Sequence, residues 1–328
     1  MRPRFVPAAA LLALLLLAAG CGRQPAPTFD NLILITLDTT RADALGAYGN
    51  RQVHTPAIDS LAARGHLFEN AYSHAPITLP SHSSILSGRL PTQHGVRNNI
   101  AYSFPPDQPT LATRLQAAGF ATGAFVSSFI LDRRFGLATG FDVYEDQIVH
   151  YGRKVSKQEI TTRRAGETTD LFLGWLAAQQ KQRFFGWVHF YDAHWPYEPP
   201  LPFRQAYAEK PYFGEIASMD VEIGRILAYL EKNGLAERTL IVVTADHGES
   251  FFEHGEATHG FFCYGATTHV PLIVSRPLYD AAGTRYGHQV QSIDIAPSAL
   301  EGWGCRRMPR WKARLWIAGR SARSIPRR

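Results

Sequence analysis

The chain has 328 residues, of which 45% are hydrophobic and 19% charged, a composition that fits a globular protein and excludes a largely disordered one. Its formal net charge of +6 comes from residues 306–328, which contain eight Arg, one Lys and no acid, so that residues 1–305 carry a net charge of −3. The body of the protein therefore gives no reason to expect a nucleic-acid-binding surface, and the basic tail carries no functional prediction.

Residues 1–20 have the features of a lipoprotein-type signal peptide. Two arginines precede an apolar run from Ala8 to Ala19, which is too short to span a membrane, since a spanning helix needs roughly 20 apolar residues. The segment ending in Cys21 resembles a bacterial lipobox, so Cys21 is the predicted lipidation site; ordinary cleavage near Cys21, giving a soluble secreted protein, is the alternative. We expect an exported protein, lipid-anchored in the bacterial cell envelope, periplasmic or extracellular, with residues 21–30 as its tether.

Two apolar runs in the chain each end in a carboxylate. The first run, 31–37, leads into Asp38, and the second, 239–245, leads into Asp246 and then His247. Each run is typical of a buried parallel strand. Because open α/β sheets place their ligand sites at the C-terminal ends of such strands, these side chains are predicted to line a functional site.

A hydroxyl residue lies at a predicted helix start between these two runs. Thr78 stands two residues before Pro80, in a segment of small and apolar residues that Gly88 terminates, which predicts a helix from about Thr78. The free amides and the positive dipole end of that helix suit an anionic phosphate or sulfate ester beside the hydroxyl. Taken alone, the pattern is more typical of a simple helix cap, so it depends on the other segments for its functional meaning.

The remaining predicted elements alternate between helices and strands. Helices are predicted at 41–45, 55–64, 110–118, 167–180 and 213–233, and further strands at 121–126, 184–190 and 269–275. This alternation favours one α/β domain, residues 31–304, with a doubly wound, mostly parallel sheet flanked by helices. Because no periodic pattern follows Gly302, we expect a disordered basic tail at 305–328.

Several motifs, in this order, make the chain from about Asn31 to Ser298 resemble the sulfatase family within the alkaline phosphatase superfamily. They are Asp38-Thr39-Thr40-Arg41-Ala42-Asp43, the Thr78 stretch, His194-Trp195-Pro196-Tyr197, Asp246-His247-Gly248-Glu249 and Thr258-His259-Gly260. The resemblance implies an alkaline-phosphatase-like fold and an enzyme that hydrolyses sulfuric or phosphoric esters, so an anionic ester is the expected substrate. Proteins that it resembles usually continue into a small C-terminal subdomain, which we expect to be truncated or absent in this chain, since no periodic pattern follows Gly302.

The chain departs from the sulfatase pattern at its most informative position. Formylglycine sulfatases carry Cys or Ser, then any residue, Pro, Ser and Arg, where this chain has Thr78, Leu79, Pro80, Ser81 and His82. Threonine cannot be oxidised to formylglycine. Thr78 therefore resembles the nucleophile of the superfamily's phosphodiesterases and of phosphotransferases of the lipoteichoic acid synthase type.

The resemblance also implies a metal site. Its ligands are predicted to be Asp38, Asp246 and His247, with the Thr78 hydroxyl as a further ligand. One or two divalent ions are expected, and manganese or zinc is favoured over calcium, since Asp38 is followed by Thr39 rather than by a second acid.

The same resemblance assigns five further side chains. His194 and His259 are predicted catalytic residues, with a packed structural histidine as the alternative for either one. His82, Arg89 and Asn99 are predicted to bind substrate, although His82 could instead orient Thr78 and Arg89 could instead brace its loop. Two functional alternatives to hydrolysis are a phosphotransferase acting on envelope lipids or glycans, and an inactive lipoprotein that binds anions. The sequence indicates no nucleic-acid partner, expects a membrane contact only through the lipid anchor, and leaves the oligomeric state open.

Overall fold

The computed structural model describes residues 29–148, 152–155, 158–179, 181–275 and 283–302. The predicted signal peptide, the lipidation site Cys21, almost all of the 21–30 tether and the 305–328 tail lie outside these residues, as does any structure after Gly302. Within the described residues, no helix is both long enough and apolar enough to cross a membrane.

A mixed β-sheet forms the centre of the molecule. The strands are β1 (Asn31–Leu37), β2 (His66–Tyr72), β3 (Ala121–Phe125), β4 (Val143–Glu145), β5 (Gly152–Val155), β6 (Gln158–Thr161), β7 (Phe184–Phe190), β8 (Thr239–Ala245), β9 (His269–Ser275) and β10 (Thr284–Gln291). Among the described residues, eight of them form one sheet in the order β10-β2-β9-β8-β1-β7-β3-β4, and β5 pairs with β6. Only β9 runs antiparallel to its neighbours in that sheet, so the predicted mostly parallel α/β fold is confirmed.

Helices cover the sheet. Those of the described residues are α1 (Pro56–Arg64), α2 (Thr78–Ser87), α3 (Pro91–His94), α4 (Leu111–Ala117), α5 (Ala165–Ala178), α6 (Phe203–Ala206), α7 (Pro211–Lys232), α8 (Gly265–Thr268) and α9 (Ile295–Gly302). Short 3₁₀ turns occur at Ala42–Ala44, Gly46–Tyr48, Phe129–Leu131, Arg133–Phe135, Ala236–Arg238, Glu253–Gly255 and Ser292–Asp294. Helix α7 contacts both α1 and α5, and α2 contacts α4 and α9.

The two helical layers lie on opposite faces, as the alternation of side chains along β7 shows. A Cβ added to Gly186 would lie 2.6 Å from the Phe172 ring of α5. The next residue, Trp187, points the other way, and its ring centroid lies 5.4 Å from that of His82 in α2. Strands β1, β7 and β8 are therefore covered on both sides, and every residue in them is buried.

The register of the central strands brings distant parts of the chain to one edge of the sheet. Leu37, the last residue of β1, pairs with Phe190 of β7 on one side and with Ala245 of β8 on the other. The loops that follow these three strands therefore begin side by side. They carry Asp38, the His194 motif and the Asp246 motif respectively.

Some elements differ from the sequence-based expectations. Strand β9 was predicted within its observed limits but runs against β8 and β2. Strands β2, β4 and β10 were not predicted; β10, at an edge of the sheet, has mostly polar and exposed residues and so lacks an apolar pattern. The helix expected at 41–45 is only a 3₁₀ turn over Ala42–Ala44.

Candidate active site

Three buried ligand atoms face one another at the C-terminal ends of β1 and β8. Asp38 Oδ1, Asp246 Oδ2 and His247 Nε2 have no hydrogen-bond partner within the described part of the chain. These residues each offer an atom within 4.8 Å of the others, and all three side chains are fully buried. Because buried polar atoms are normally paired, three unpaired acceptors at one point indicate a site built for a cation.

The other polar atoms of these ligands are held by the protein. Asp246 Oδ1 accepts hydrogen bonds from the backbone N–H groups of Thr39 at 3.3 Å and His247 at 2.8 Å. His247 Nδ1 donates to the carbonyl of Gly248 at 2.9 Å, so its Nε2 lone pair is the one that faces the carboxylates. In Asp246 and in His247, one polar atom of the side chain is thus hydrogen-bonded to the backbone, and the other faces the cluster.

Asp38 is oriented by a second buried histidine. The Ser127 backbone N–H donates to His189 Nδ1 at 3.2 Å, which places the proton of a neutral imidazole on Nε2. His189 Nε2 then donates to Asp38 Oδ2 at 3.2 Å. Burial lowers the pKa of His189 to about 3, so this ring is a neutral donor. A carboxylate held by a histidine in this way has a fixed direction for its second oxygen.

Burial also changes the ionisation of the ligands. It raises the pKa of Asp38 to about 8, with the Glu249 charge acting in the same direction. It raises the pKa of Asp246, where the negative charge of Asp38 adds to the effect. Burial lowers the pKa of His247 well below its usual value. Two carboxylates so close together in a dry site are stable as anions only beside a positive charge, and two oxygens with one imidazole nitrogen form a donor set that fits a divalent metal.

Thr78 lies at the start of α2, next to these ligands. Its side chain is buried, and its hydroxyl lies close enough to Asp38 to oppose the upward shift of the Asp38 pKa. The helix begins where the sequence predicts, and Gly88 ends it at φ 66°. The structure thus brings Thr78 together with Asp38, Asp246 and His247.

His82 hydrogen-bonds to the backbone of Thr78. It is fully buried; its Nδ1 donates to the Thr78 carbonyl at 2.8 Å, and its Nε2 accepts from the Thr36 hydroxyl at 3.1 Å. Burial lowers the pKa of His82 well below the usual range, so it remains neutral. This placement matches an orienting role for His82 and gives it no exposed surface with which to touch a substrate.

The two predicted catalytic histidines lie side by side. The ring centroids of His194 and His259 are 5.0 Å apart, and that of His259 lies 4.4 Å from that of His247. His194 Nδ1 donates to the Trp195 carbonyl at 2.7 Å, which leaves Nε2 as its second polar atom. Both rings therefore border the metal-ligand cluster.

His259 is paired with a buried acid that sequence reasoning did not select. Its Nδ1 donates to Glu249 Oε1 at 2.8 Å, and the Tyr197 hydroxyl donates to Glu249 Oε2 at 2.9 Å. Burial lowers the pKa of His259, but the hydrogen bond and charge of Glu249, with the charges of Asp38 and Asp246, outweigh it, so the net pKa is raised. The signal for Glu249 was its position three residues after Asp246 in the same motif.

The remaining predicted substrate residues separate in space. Asn99 Oδ1 accepts the Leu79 backbone N–H at 2.9 Å, which places Asn99 beside Thr78. Arg89 follows the opposite end of α2, about 15 Å from Thr78 at 1.5 Å per residue, and donates to Gln108 Oε1 at 3.0 Å. The structure does not bring Arg89 to the site, and its contact is that of a loop brace.

Thr39 occupies the position where the two-acid pattern would place another ligand. It has a left-handed backbone, φ 52°, and its hydroxyl donates to the Ala193 carbonyl at 2.6 Å rather than facing the cluster. Its backbone carbonyl accepts from the Tyr212 hydroxyl at 2.8 Å. Thr39 therefore fixes the loop after β1 to the loop after β7.

Comparison with known proteins identifies relatives of this chain. A family model described as Sulfatase matches residues 30–304. The N-acetylgalactosamine-6-sulfatase of Canis lupus familiaris is 28% identical over 88% of the chain, and the chain spans 65% of the length of that relative. The arylsulfatase of Clostridium perfringens is 21% identical over 83% of the chain and 74% of its own length.

Solved structures show the same fold. The phosphonate monoester hydrolase of Agrobacterium radiobacter superposes with a TM-score of 0.72 at 20% identity, covering 84% of this chain and 73% of its own. A structure solved in complex with its substrate, D-glucosamine-2-N,6-O-disulfate, gives a TM-score of 0.74 at 21% identity, covering 88% and 79%. These two structures therefore share the fold of this chain over most of its length.

Proposed function

The chain belongs to the sulfatase family, and we propose that it is a metal-dependent hydrolase of sulfate, phosphate or phosphonate esters in which Thr78 is the nucleophile. The observation that carries the proposal is the cluster of three buried, unpaired ligand atoms of Asp38, Asp246 and His247, with the Thr78 hydroxyl close to Asp38. A protein that only bound anions would have no need to bury two carboxylates at that point.

These three residues, with Thr78 Oγ, would hold one divalent cation, and the donor set favours manganese or zinc over calcium, which takes six to eight oxygens. When bound, the cation supplies positive charge that lowers the pKa of the hydroxyl and neutralises the ester oxygens. A second ion is compatible with the family resemblance, but among the described residues only this group of His, Cys, Asp and Glu meets the distance requirement for one ion.

Thr78 Oγ is proposed to attack the phosphorus or sulfur in line with the departing oxygen. As the bond from Thr78 Oγ to the ester centre forms and the bond to the alcohol breaks, the Thr78 proton passes to solvent, leaving a covalent Thr78 ester. Protonated His259, whose pKa is raised by the hydrogen bond and charge of Glu249, gives its proton to the departing alkoxide and becomes neutral. Water then attacks the Thr78 ester, neutral His259 takes a proton from that water, and the released Thr78 oxygen takes a proton back from solvent.

The remaining side chains position these groups. His82 fixes the Thr78 carbonyl, and Asn99 holds the Leu79 amide, so the first turn of α2 keeps its direction toward the site. His194 would bind an ester oxygen or share the proton of the leaving alkoxide. Because threonine cannot supply the aldehyde hydrate through which formylglycine sulfatases cleave sulfate, phosphorus esters are the favoured substrates.

The test is hydrolysis of matched aryl phosphate, phosphodiester, phosphonate and sulfate esters by the protein stripped of metal and then supplied with one ion at a time. Activity that requires manganese or zinc is expected, with a loss of at least about a thousandfold in Thr78→Ala and partial recovery in Thr78→Ser, which keeps a hydroxyl nucleophile. Ser83→Ala is the matched control, since it removes another buried hydroxyl from α2 that bonds only to the Leu79 carbonyl, at 2.7 Å.

The outcomes separate the alternatives. Sulfate turnover that survives Thr78→Ala would contradict the nucleophile. Transfer of the phosphoryl group to glycerol or a sugar in preference to water would identify a phosphotransferase. A wild-type protein that binds anions but neither turns over any ester nor retains a metal would be an inactive relative. Export and lipid attachment at Cys21 remain proposals that membrane fractionation of Cys21→Ser would test.

A further inference from the structure

Aromatic side chains project into solvent from the loop that follows β8. Phe252 is 74% exposed and Phe261 is 86% exposed, and Phe251, Phe262 and Tyr264 are also exposed. Single exposed apolar residues are common on protein surfaces, but five aromatic rings within fourteen consecutive residues are not scattered in that way. We refer to these five residues as the aromatic rim.

Glu256 holds the two ends of the rim together. Its carboxylate accepts the backbone N–H of Phe261 at 2.8 Å and that of Phe262 at 3.3 Å, while its own carbonyl accepts the N–H of Phe252 at 2.9 Å. The Glu256 side chain is buried. Phe252 and Phe261 therefore belong to one built surface, although nine positions separate them in sequence.

The rim borders the candidate active site. It begins two residues after Glu249, and its second half begins two residues after His259. Gly260 lies against the residue before Thr78, since a Cβ placed on Gly260 would be 3.3 Å from Ile77 Cγ2. Trp195, which follows His194, is also exposed. The rim therefore continues directly from Glu249 and His259, and the contact of Gly260 places its second half beside the start of α2.

The polar groups of the loop are used internally. Glu253 pairs with Arg41 at 2.6 Å, Glu256 binds backbone amides, and the His254 ring stacks on Tyr264 with centroids 3.8 Å apart. The backbone of Phe252 and of His254 is left-handed, with φ 67° and 62°, a conformation that bulky residues rarely adopt. The loop therefore has an unfavourable backbone conformation at two residues, and its aromatic rings rather than its charged groups face solvent.

We propose that the aromatic rim binds an apolar alkyl or aryl group of the ester substrate, which makes this enzyme specific for amphiphilic esters rather than for sulfated or phosphorylated sugars. The inference rests on the proposed function. Because Glu253 and Glu256 are bonded within the loop, few of its polar groups are left for the hydroxyls of a sugar, and the rings gain free energy by covering apolar surface. The anionic centre would lie at Thr78 and the apolar group against Phe252 and Phe261.

The test uses p-nitrophenyl alkyl phosphates with methyl, propyl and hexyl groups, together with a glucosyl analogue, so that the leaving group stays the same. We expect kcat/KM to rise about twofold for each added methylene, less than the roughly fourfold for complete burial, because the rim is open on one side. In Phe252→Ser/Phe261→Ser the hexyl ester should lose about tenfold or more and the methyl ester much less, so the dependence on chain length becomes flat. Val221→Ser is the control, since it removes an exposed apolar side chain from α7, outside the rim.

Binding of methylphosphonate and hexylphosphonate, measured by calorimetry, tests the rim without turnover. Tighter binding of the hexyl compound that the double variant abolishes would support the proposal even for a slow enzyme. Equal kcat/KM for methyl and hexyl esters, or a preference for the glucosyl ester, would overturn it while leaving the hydrolase intact. Loss of vesicle binding in the double variant, with no dependence on alkyl length, would show a membrane-docking surface instead. If no ester is turned over and both phosphonates bind equally, both the rim and the proposed function fail.

Discussion

His259 Nδ1 donates a hydrogen bond to Glu249 Oε1 at 2.8 Å. Glu249 belongs to the motif in which Asp246 and His247 are the predicted metal ligands. The buried carboxylate gives the imidazole a partner on one side and leaves Nε2 for the site. Because Tyr197 donates to the other oxygen of Glu249, the acid is fixed from two directions. The pair therefore works as a unit in which Glu249 positions His259.

Replacing Glu249 by Gln removes the charge and keeps the shape. The hydrogen bond and charge of Glu249 raise the pKa of His259, so in Glu249→Gln that pKa falls and the protonated ring is lost at a lower pH. We expect kcat to fall about tenfold to a hundredfold and the alkaline limb of its pH profile to move to lower pH. Tyr197→Phe, which keeps the carboxylate, should shift the limb little. An unmoved limb in Glu249→Gln would exclude His259 as the proton donor.

A buried donor to a metal ligand is expected to control metal affinity. His189 Nε2 donates to Asp38 Oδ2 at 3.2 Å, so His189→Ala leaves that oxygen without its hydrogen bond. We expect manganese or zinc to bind about tenfold to a hundredfold more weakly, as measured by calorimetry on the metal-free protein. His94→Ala is a suitable control, because His94 is also buried but bonds to Ser84 at 3.1 Å. Equal affinities in the two variants would show that His189 has only a packing role.

Asp220 connects two helices through backbone amides. From α7, its two carboxylate oxygens accept the N–H groups of Ile58 at 2.8 Å and Ala57 at 3.0 Å in the first turn of α1. In Asp220→Ala these amides lose their partner, and we expect the free energy of unfolding to fall by about 1–2 kcal/mol. Urea unfolding measures this change, and a loss below about 0.5 kcal/mol would mean that water replaces the carboxylate.

The same carboxyl predicts a pH dependence of stability. Burial raises the pKa of Asp220 to about 6, so the folded state holds this proton more tightly than the unfolded chain does. Between the two pKa values the folded state binds more protons, and the contribution of this group to stability falls as pH rises to about 6. The difference in unfolding free energy between wild type and Asp220→Asn should therefore shrink from pH 4 to pH 7. A difference that grows with pH would mean that Asp220 is stabilised as an anion.

Paired glycines make room for the aromatic residues of α5. Gly186 pairs with Gly123 across β7 and β3, and a Cβ on Gly186 would lie 2.6 Å from Phe172 Cε2. Gly186→Ala should destabilise the fold by about 1–3 kcal/mol through overpacking. Gly174→Ala is the matched substitution, since nothing lies within 4 Å of a Cβ there and the helix should gain about 0.5–1 kcal/mol. Thermal unfolding of both variants tests the pair.

The strand ends could be predicted from sequence because burial on both faces produces unbroken apolar runs. The runs before Asp38 and Asp246 show this pattern, and the structure places the two acids side by side. The start of α2 at Thr78 was also predictable, since Pro80 and Gly88 mark its two ends. These features depend on local sequence and on the rules for parallel sheets.

The supporting residues could not be predicted in this way. The partnership of His189 with Asp38 depends on the pairing of β7 with β1, which brings together residues 151 positions apart. Asn99 lies beside Thr78 and Arg89 lies beyond the other end of α2, a separation that depends on the length of the helix and is not contained in the motif. Strand β10 was not predicted because an edge strand with exposed polar residues has no apolar pattern.

The hydrogen bond from the Thr39 amide to Asp246 joins residues 207 positions apart, across the seam between β1 and β8. The metal ligands therefore exist as a set only when most of the sheet has assembled, and a cation that binds them binds the folded chain and not the unfolded one. By mass action, an ion at a hundred times its dissociation constant adds about 2.7 kcal/mol to the stability of the whole domain. Cation supply would thus set how long the folded molecule survives as well as how fast it works.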